Sequence, residues 1–290
     1  MKKALAVDIG GTKIYYAVID ESGKIDSEVM KEATPKTLEG FKELFTRIFN
    51  LFEVDFIAIS TAGAVNNENT RVISSTGNLV EGYRDLDFQS FTKTPVFVEN
   101  DANCAAWAEH VLGSSKGMAN SIMLTLGTGV GGGIIINDRL LKGKSGSAGE
   151  MHFKMYSDNR RKCTCGAWDC FEAYASGTGL QKTAAEMSAN PNITTYDVID
   201  GVNAKDEKMV EIFNQWQEHI IIGCIGLANL FDPDCIVFSG SMAEFINTAE
   251  IEARVNAEIL TQSTKIYKAT SGNYAGMIGA ALLALGGSRG

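Results

Sequence analysis

The chain has 290 residues, 45% hydrophobic and 21% charged, an ordinary soluble globular composition long enough for two domains with separate cores. A formal net charge of -9 argues against a general nucleic-acid or anionic-membrane surface. No apolar run approaches the roughly 20 residues that a membrane-spanning helix needs.

Strand-like sequence begins at once with Ala4-Leu5-Ala6-Val7 and no signal-peptide pattern precedes it, so a cytoplasmic location is the expectation. In "KALAVDIGGTKIYYAVID" a strand ends in Gly10-Gly11 and a second strand follows, with Ile14, Tyr16 and Val18 on one face. Residues 38–52 place Leu38, Phe41, Phe45, Ile48 and Phe52 at helical spacing. Residues 54–60 and 94–100 read as buried strands, and the pattern turns helical from Ala102 to Leu112. Gly113 to Gly117 is a candidate domain boundary.

The second half repeats the plan. "LTLGTGVGGGIIIN" contains a G-x-G-x-x-G in Gly127, Gly129 and Gly132. A dinucleotide site would need those glycines to open a helix, but they run into Ile134-Ile135-Ile136, a poor helix start. The stretch is strand, glycine turn, strand. A long helix is expected over 208–231, a strand ending at Gly240, a helix over 243–260, a strand over 264–270 and a helix over 274–285, with "GGSRG" as a disordered tail. The reading is a duplicated α/β architecture with ligand in the cleft between its halves: an N-terminal domain, 1–116, on which the helix 274–286 packs, and a C-terminal domain, 117–273.

Three glycine turns follow buried strands: Gly10-Gly11, Gly127 to Gly133, and Gly240. Without a Cβ the main chain can approach a ligand closely, and successive N–H groups form an anion-binding concavity. A tight hairpin needs glycine in any case, but three such turns, two with threonine beside the glycines, favour phosphate. A P-loop is excluded because "DRLLKGKS" has Asp138 where its first glycine belongs. "FVENDANCAAW" sets Glu99, Asn100 and Asp101 where a strand hands over to a helix, so Asp101 either lies in the cleft or merely caps the helix. Cys104, Cys224 and Cys235 read as core thiols. Cys163, Cys165 and Cys170 form C-x-C-x4-C, suited to zinc with His152 as the nearest outside ligand, the alternative being three reduced thiols.

Together "DIGGTK" (8–13), "NDANCAAWAE" (100–109), "LGTGVGGGI" (126–134), "GSAGEMHF" (146–153), "CTCGAWDCFEAYASG" (163–177) and "DPDCIVFSGS" (232–241) resemble the ROK family of bacterial sugar kinases and repressors. The resemblance implies an actin-like, ribonuclease-H-like fold and transfer of the ATP γ-phosphoryl group to a sugar hydroxyl. It implies Asp101 as catalytic base, Asn100, Glu150, His152 and Glu172 as sugar contacts, and Gly63 and Asn78 as pocket lining. Asp8, Gly10, Gly11 and Thr12 match a first phosphate loop; Gly127, Thr128 and Gly129 match a second, with Gly240 also on the ATP side. ATP with Mg²⁺, structural Zn²⁺ on His152, Cys163, Cys165 and Cys170, and a homodimer are the implied cofactors and assembly. The family's usual Glu-x-Gly-His here reads Glu150-Met151-His152-Phe153, so an ungapped match puts Phe153 in the histidine's place. Either His152 reaches the metal from a shifted backbone or the zinc site is incomplete. The overall likeness leans to N-acetylmannosamine among the hexoses and N-acetylhexosamines. A family repressor needs a DNA-binding domain ahead of a loop that here starts at Asp8, and a sugar-sensing protein without catalysis is the other alternative.

Overall fold

The computed structural model describes residues 1–74, 79–155, 158 and 160–286. Asn78 and the expected tail beyond Gly286 lie outside the described residues. The chain begins with β1 (Lys3–Ile9), β2 (Lys13–Asp20), β3 (Met30–Ala33), α1 (Leu38–Ile48), β4 (Phe56–Thr61), β5 (Ala64–Val65), β6 (Val72–Ser74), β7 (Val96–Asn100) and α2 (Asp101–Val111). It continues with β8 (Ser121–Leu126), β9 (Val130–Ile136), β10 (Arg139–Leu140), α3 (Glu172–Ala175), α4 (Gly177–Ser188), α5 (Thr195–Asn203), α6 (Glu207–Phe231), β11 (Cys235–Ser239), α7 (Thr248–Glu258), β12 (Lys265–Lys268) and α8 (Ala275–Gly286).

Two five-stranded sheets share one plan, with orders β3-β2-β1-β4-β7 and β10-β9-β8-β11-β12. In the first, β1 pairs antiparallel with β2 and parallel with β4, which pairs parallel with β7. In the second, β11 pairs parallel with both β8 and β12. This is the duplication expected from the repeated strand–glycine–strand openings. No described helix is long and apolar enough to cross a membrane.

Contacts divide the chain into two compact units, one of Met1–Ala119, Gly133–Gly149 and the stretch from Thr270 onward, the other of Asn120–Gly132 and Glu150–Ala269. The expected second domain runs unbroken from 117 to 273; this division differs in 133–149 and, at the edges, in 117–119 and 270–273. Segment 133–149 is tied to the first unit by Lys142, whose Nζ meets Glu99 Oε2 at 2.8 Å and donates to Asn66 O at 3.1 Å. Asn67 Nδ2 adds bonds to Gly143 O and Lys144 O at 3.0 Å each.

In the first unit β1 is buried on both faces, as a central strand of a covered sheet must be. Leu5, Val7 and Ile9 pack with Phe41, Phe45 and Ile48 of α1. The other face carries small residues, Ala4, Ala6, Ala17 and Ala58, packed with Cys104 of α2 and Met277, Ala280 and Ala281 of α8. Small side chains there let the two helices approach so closely that a Cβ on Gly279 would run into the Cys104 backbone carbonyl.

In the second unit α6 buries Trp216, Ile220 and Cys224, and the Trp216 indole N–H donates to Ala175 O (3.1 Å) and Ser176 O (3.0 Å), fixing the α3–α4 junction. Two helix boundaries differ from expectation. Helix α1 stops at Ile48, with Phe49 as its cap, although Phe49 is buried in the same core. Helix α7 starts only at Thr248, because the Asn247 side chain caps it by accepting from Glu250 N.

Candidate active site

In the first unit the turn from β7 into α2 places the two expected residues. Asn100, not Asp101, is the cap: its Oδ1 accepts from Asn103 N at 3.0 Å, and its Nδ2 donates to Gly63 O at 3.0 Å. Asp101 is the first helical residue, exposed, with Oδ1 accepting from Ala102 N at 2.8 Å. The alternative that Asp101 merely caps the helix is therefore corrected; both residues have capping chemistry, and the extended backbone of Asn100 decides between them.

Beneath this turn lies a residue whose part the sequence reading missed. Glu99 is 1% exposed and accepts from Asn69 Nδ2 (2.7 Å), Asn100 N (2.9 Å) and Asn103 Nδ2 (3.1 Å), with Lys142 as counter-ion. A carboxylate inside an otherwise apolar strand was the available signal, since such a charge must be paired.

The first glycine turn is exposed from Gly10 to Lys13 and pinned from behind by Gly10 N to Lys13 O (3.0 Å) and Thr34 Oγ1 to Gly10 O (2.6 Å). Asp8 precedes it, accepting from Ser60 Oγ at 2.6 Å; burial pushes its carboxyl above the usual range.

In the second unit the other turn is held through its carbonyls. Gly177 N donates to Gly127 O at 2.7 Å and Thr178 Oγ1 to Thr128 O at 2.8 Å. Gly240 ends β11 with φ +86°, where a side chain would strike the Leu126 backbone, and Met242 N then donates to Leu126 O at 3.0 Å. Glu172 opens α3 and accepts from Val130 N (3.1 Å), Thr164 Oγ1 (2.5 Å) and Cys163 Sγ (3.3 Å). Burial alone would raise its carboxyl, but these bonds outweigh it and hold Glu172 below the usual range. Glu150 is exposed, 3.7 Å from His152 Nδ1.

The cysteine loop is closed by Cys163 N to Ala167 O (2.8 Å) and Gly166 N to Cys163 O (3.0 Å). Asp169 anchors it, accepting from Arg161 N, Tyr174 OH and the Arg160 guanidinium. Ligand atoms of His152, Cys163 and Cys165 all lie within 4.8 Å of one another. Cys170 falls outside that mutual group but lies 3.6 Å from Cys165 Sγ to Sγ, close to the about 3.7 Å that two thiolates on one tetrahedral zinc adopt. His152 Nε2 is buried with no hydrogen-bond partner among the described residues, which leaves it available to a metal. Phe153 instead stacks on Phe171, centroids 4.8 Å apart, so the shift from His152 to Phe153 leaves the imidazole at the cysteines. Burial pushes the Cys163 thiol up to about 12, whereas the Ala167 N–H draws the exposed Cys165 down. The donor set fits zinc.

The ROK family matches residues 4–286 of this chain. The chain belongs to that family. Over 321 aligned residues it is 32% identical to the glucokinase of Streptomyces coelicolor, covering 98% of both chains. It is 29% identical to the N-acetylmannosamine kinase of Haemophilus influenzae over 292 residues, covering 96% of this chain and 94% of that one. A ROK family glucokinase from Streptomyces griseus, solved in complex with glucose and AMPPNP, superposes with a TM-score of 0.80 at 31% identity, covering 98% and 100%. The paired sheets are those of the actin-like ATPase fold that ROK sugar kinases share.

Proposed function

We propose that this ROK sugar kinase transfers the γ-phosphoryl group of ATP to the 6-hydroxyl of a hexose or N-acetylhexosamine, with N-acetylmannosamine as the favoured acceptor. One observation carries the reading most: Asp101 is exposed at the positive end of α2 while its neighbour does the capping, which suits a carboxylate that receives a hydroxyl proton. Phosphoryl transfer through a loose transition state needs alignment and charge neutralisation more than a strong base. Asp101 accepts the proton. Asn100, its amide oriented by Gly63 and its backbone by Glu99, is a sugar contact in this reading, as are Glu150, His152 and Glu172. Main-chain N–H groups of Gly10 to Thr12 and of Gly127 to Gly129 receive the phosphates, and Gly240 lines the nucleotide side. Mg²⁺ would be held on the first glycine turn by Asp8, directly or through water, and would supply positive charge for the ATP phosphates; a cation there would favour the charged form that burial disfavours on Asp8.

The likeness to the Haemophilus influenzae N-acetylmannosamine kinase over 96% of this chain supports the choice of acceptor. Glucose is the second reading, favoured by the higher identity to the Streptomyces coelicolor enzyme. A coupled ADP-release assay across hexoses and N-acetylhexosamines tests both. The highest kcat/KM is expected for N-acetylmannosamine; a preference for glucose overturns that acceptor but keeps the kinase, and turnover with no sugar favours a sensor.

Zinc would be held by His152, Cys163, Cys165 and Cys170, and four protein ligands make its contribution structural. Held there, the loop presents Glu172 to the sugar. Elemental analysis of protein purified without added metal is expected to find about one zinc per chain, and Cys165→Ser to lose most of it and melt at lower temperature. Fully active wild type without metal would show that the three cysteines have no such role.

A further inference from the structure

We propose that Glu172 is a positioning residue for the second glycine turn, held in that role by Thr164, so that the cysteine loop governs nucleotide affinity. The proposal rests on the reading of Gly127 to Gly129 as a phosphate turn.

The carbonyl of one residue and the N–H of the next share a planar trans peptide and point to opposite sides. Fixing the Gly127 carbonyl on Gly177 N, and the Thr128 carbonyl on Thr178 Oγ1, therefore turns the N–H groups of Thr128 and Gly129 the other way. Those are the donors a phosphate would meet. The next N–H, that of Val130, is taken by Glu172 Oε2 at 3.1 Å. One short segment, Glu172 to Thr178, thus grips three successive peptide groups of the turn and sets the direction of its free edge.

Gly129 bears on the same point. A Cβ there would lie 2.5 Å from Glu172 Oε2, so the glycine gives the carboxylate clearance to reach the following N–H. The other oxygen, Oε1, accepts from Thr164 Oγ1 and Cys163 Sγ, both in the cysteine loop. A carboxylate offers about four lone-pair positions, and three are filled by these protein donors. The fourth suffices for a sugar hydroxyl, so Glu172 can contact sugar and turn together.

The test uses Thr164→Val and Thr178→Val, with Thr164→Ser and Thr178→Ser as conservative partners. Thr178 lies outside the cysteine loop, so its variant separates the grip on the turn from any effect on metal. Affinity for a non-hydrolysable ATP analogue and for the sugar is measured separately by calorimetry, with kcat and both KM values. Deuterium exchange is followed in peptides covering 127–132. Each valine variant is expected to weaken analogue binding and raise the ATP KM by about tenfold, the scale of one hydrogen bond to a charged or main-chain group. Sugar affinity and kcat should change less than about twofold, exchange at 127–132 should quicken, and each serine should restore the wild-type values. Unchanged analogue affinity and exchange in both valine variants would overturn the proposal, as would equal losses for sugar and nucleotide. Wild type that fails to bind the analogue would instead remove the phosphate-turn reading, and the proposal with it.

Discussion

Asp101→Asn is expected to lower kcat about 10²–10⁴-fold, the usual contribution of a general base, while sugar affinity and melting temperature stay near wild type. The structure sharpens this expectation. Helix α2 is capped by Asn100, so residue 101 can be changed without removing the cap. Asparagine has nearly the same size, and its Oδ1 can still accept from Ala102 N as Asp101 does. What disappears is the proton acceptor. Steady-state kinetics, sugar calorimetry and a thermal melt decide the matter together. Near-normal turnover would remove Asp101 from the chemistry, and a large drop in melting temperature would make its role structural.

Gly279→Ala is expected to destabilise the protein's first unit strongly. The added Cβ would overlap the Cys104 carbonyl and its backbone neighbours, which no rotamer change can move aside. Helices α2 and α8 would have to separate, and Cys104, Met277 and Ala280 are fully buried in the layer they share. Overpacking this close to rigid backbone is expected to cost about 3 kcal/mol, the upper end of the usual range. In a protein of this size that is a fall in Tm of roughly 6–12 °C. Gly226→Ala serves as the control: it lies exposed in the middle of α6 with no atom near its Cβ position. There alanine is expected to stabilise by about 0.5–1 kcal/mol through helix propensity. Equal melting of the two variants would mean that the α2–α8 contact is looser than described.

The parts legible from sequence are those written in local pattern. Buried strands broken by glycine pairs announced both hairpins, and helical spacing announced α1, α6 and α8. Assignment of 133–149 to the first unit was not legible. It includes pairings such as Lys142 with Glu99, residues far apart in the chain, and no local periodicity encodes them. The capping of α2 was ambiguous for a different reason, since Asn100 and Asp101 are adjacent and chemically equivalent as caps. The cysteine loop shows a third limit. Side-chain direction in irregular backbone does not follow from spacing, so Glu150-Met151-His152-Phe153 left two outcomes open. In the fold Phe153 turns onto Phe171 and His152 onto the cysteines. The link from Glu172 to Val130 likewise joins distant segments, and only the glycine at 129 hinted at a crowded approach.

The placing of α8 has a consequence for how the protein is made. Its residues Met277, Ala280, Ala281 and Leu283 complete the layer over Ala4, Ala6, Ala17 and Ala58, on strands that leave the ribosome well before it. Roughly 160 residues separate the end of α2 from the start of α8, and at about 5–20 residues per second the wait is on the order of ten to thirty seconds. The second unit, which ends at Ala269, is synthesised in full during that interval. The unit translated first is therefore the one finished last. Until α8 emerges, that alanine-bearing face of the sheet has α2 but not α8 over it, and the part left uncovered exposes the nascent chain to aggregation if translation stalls before residue 286.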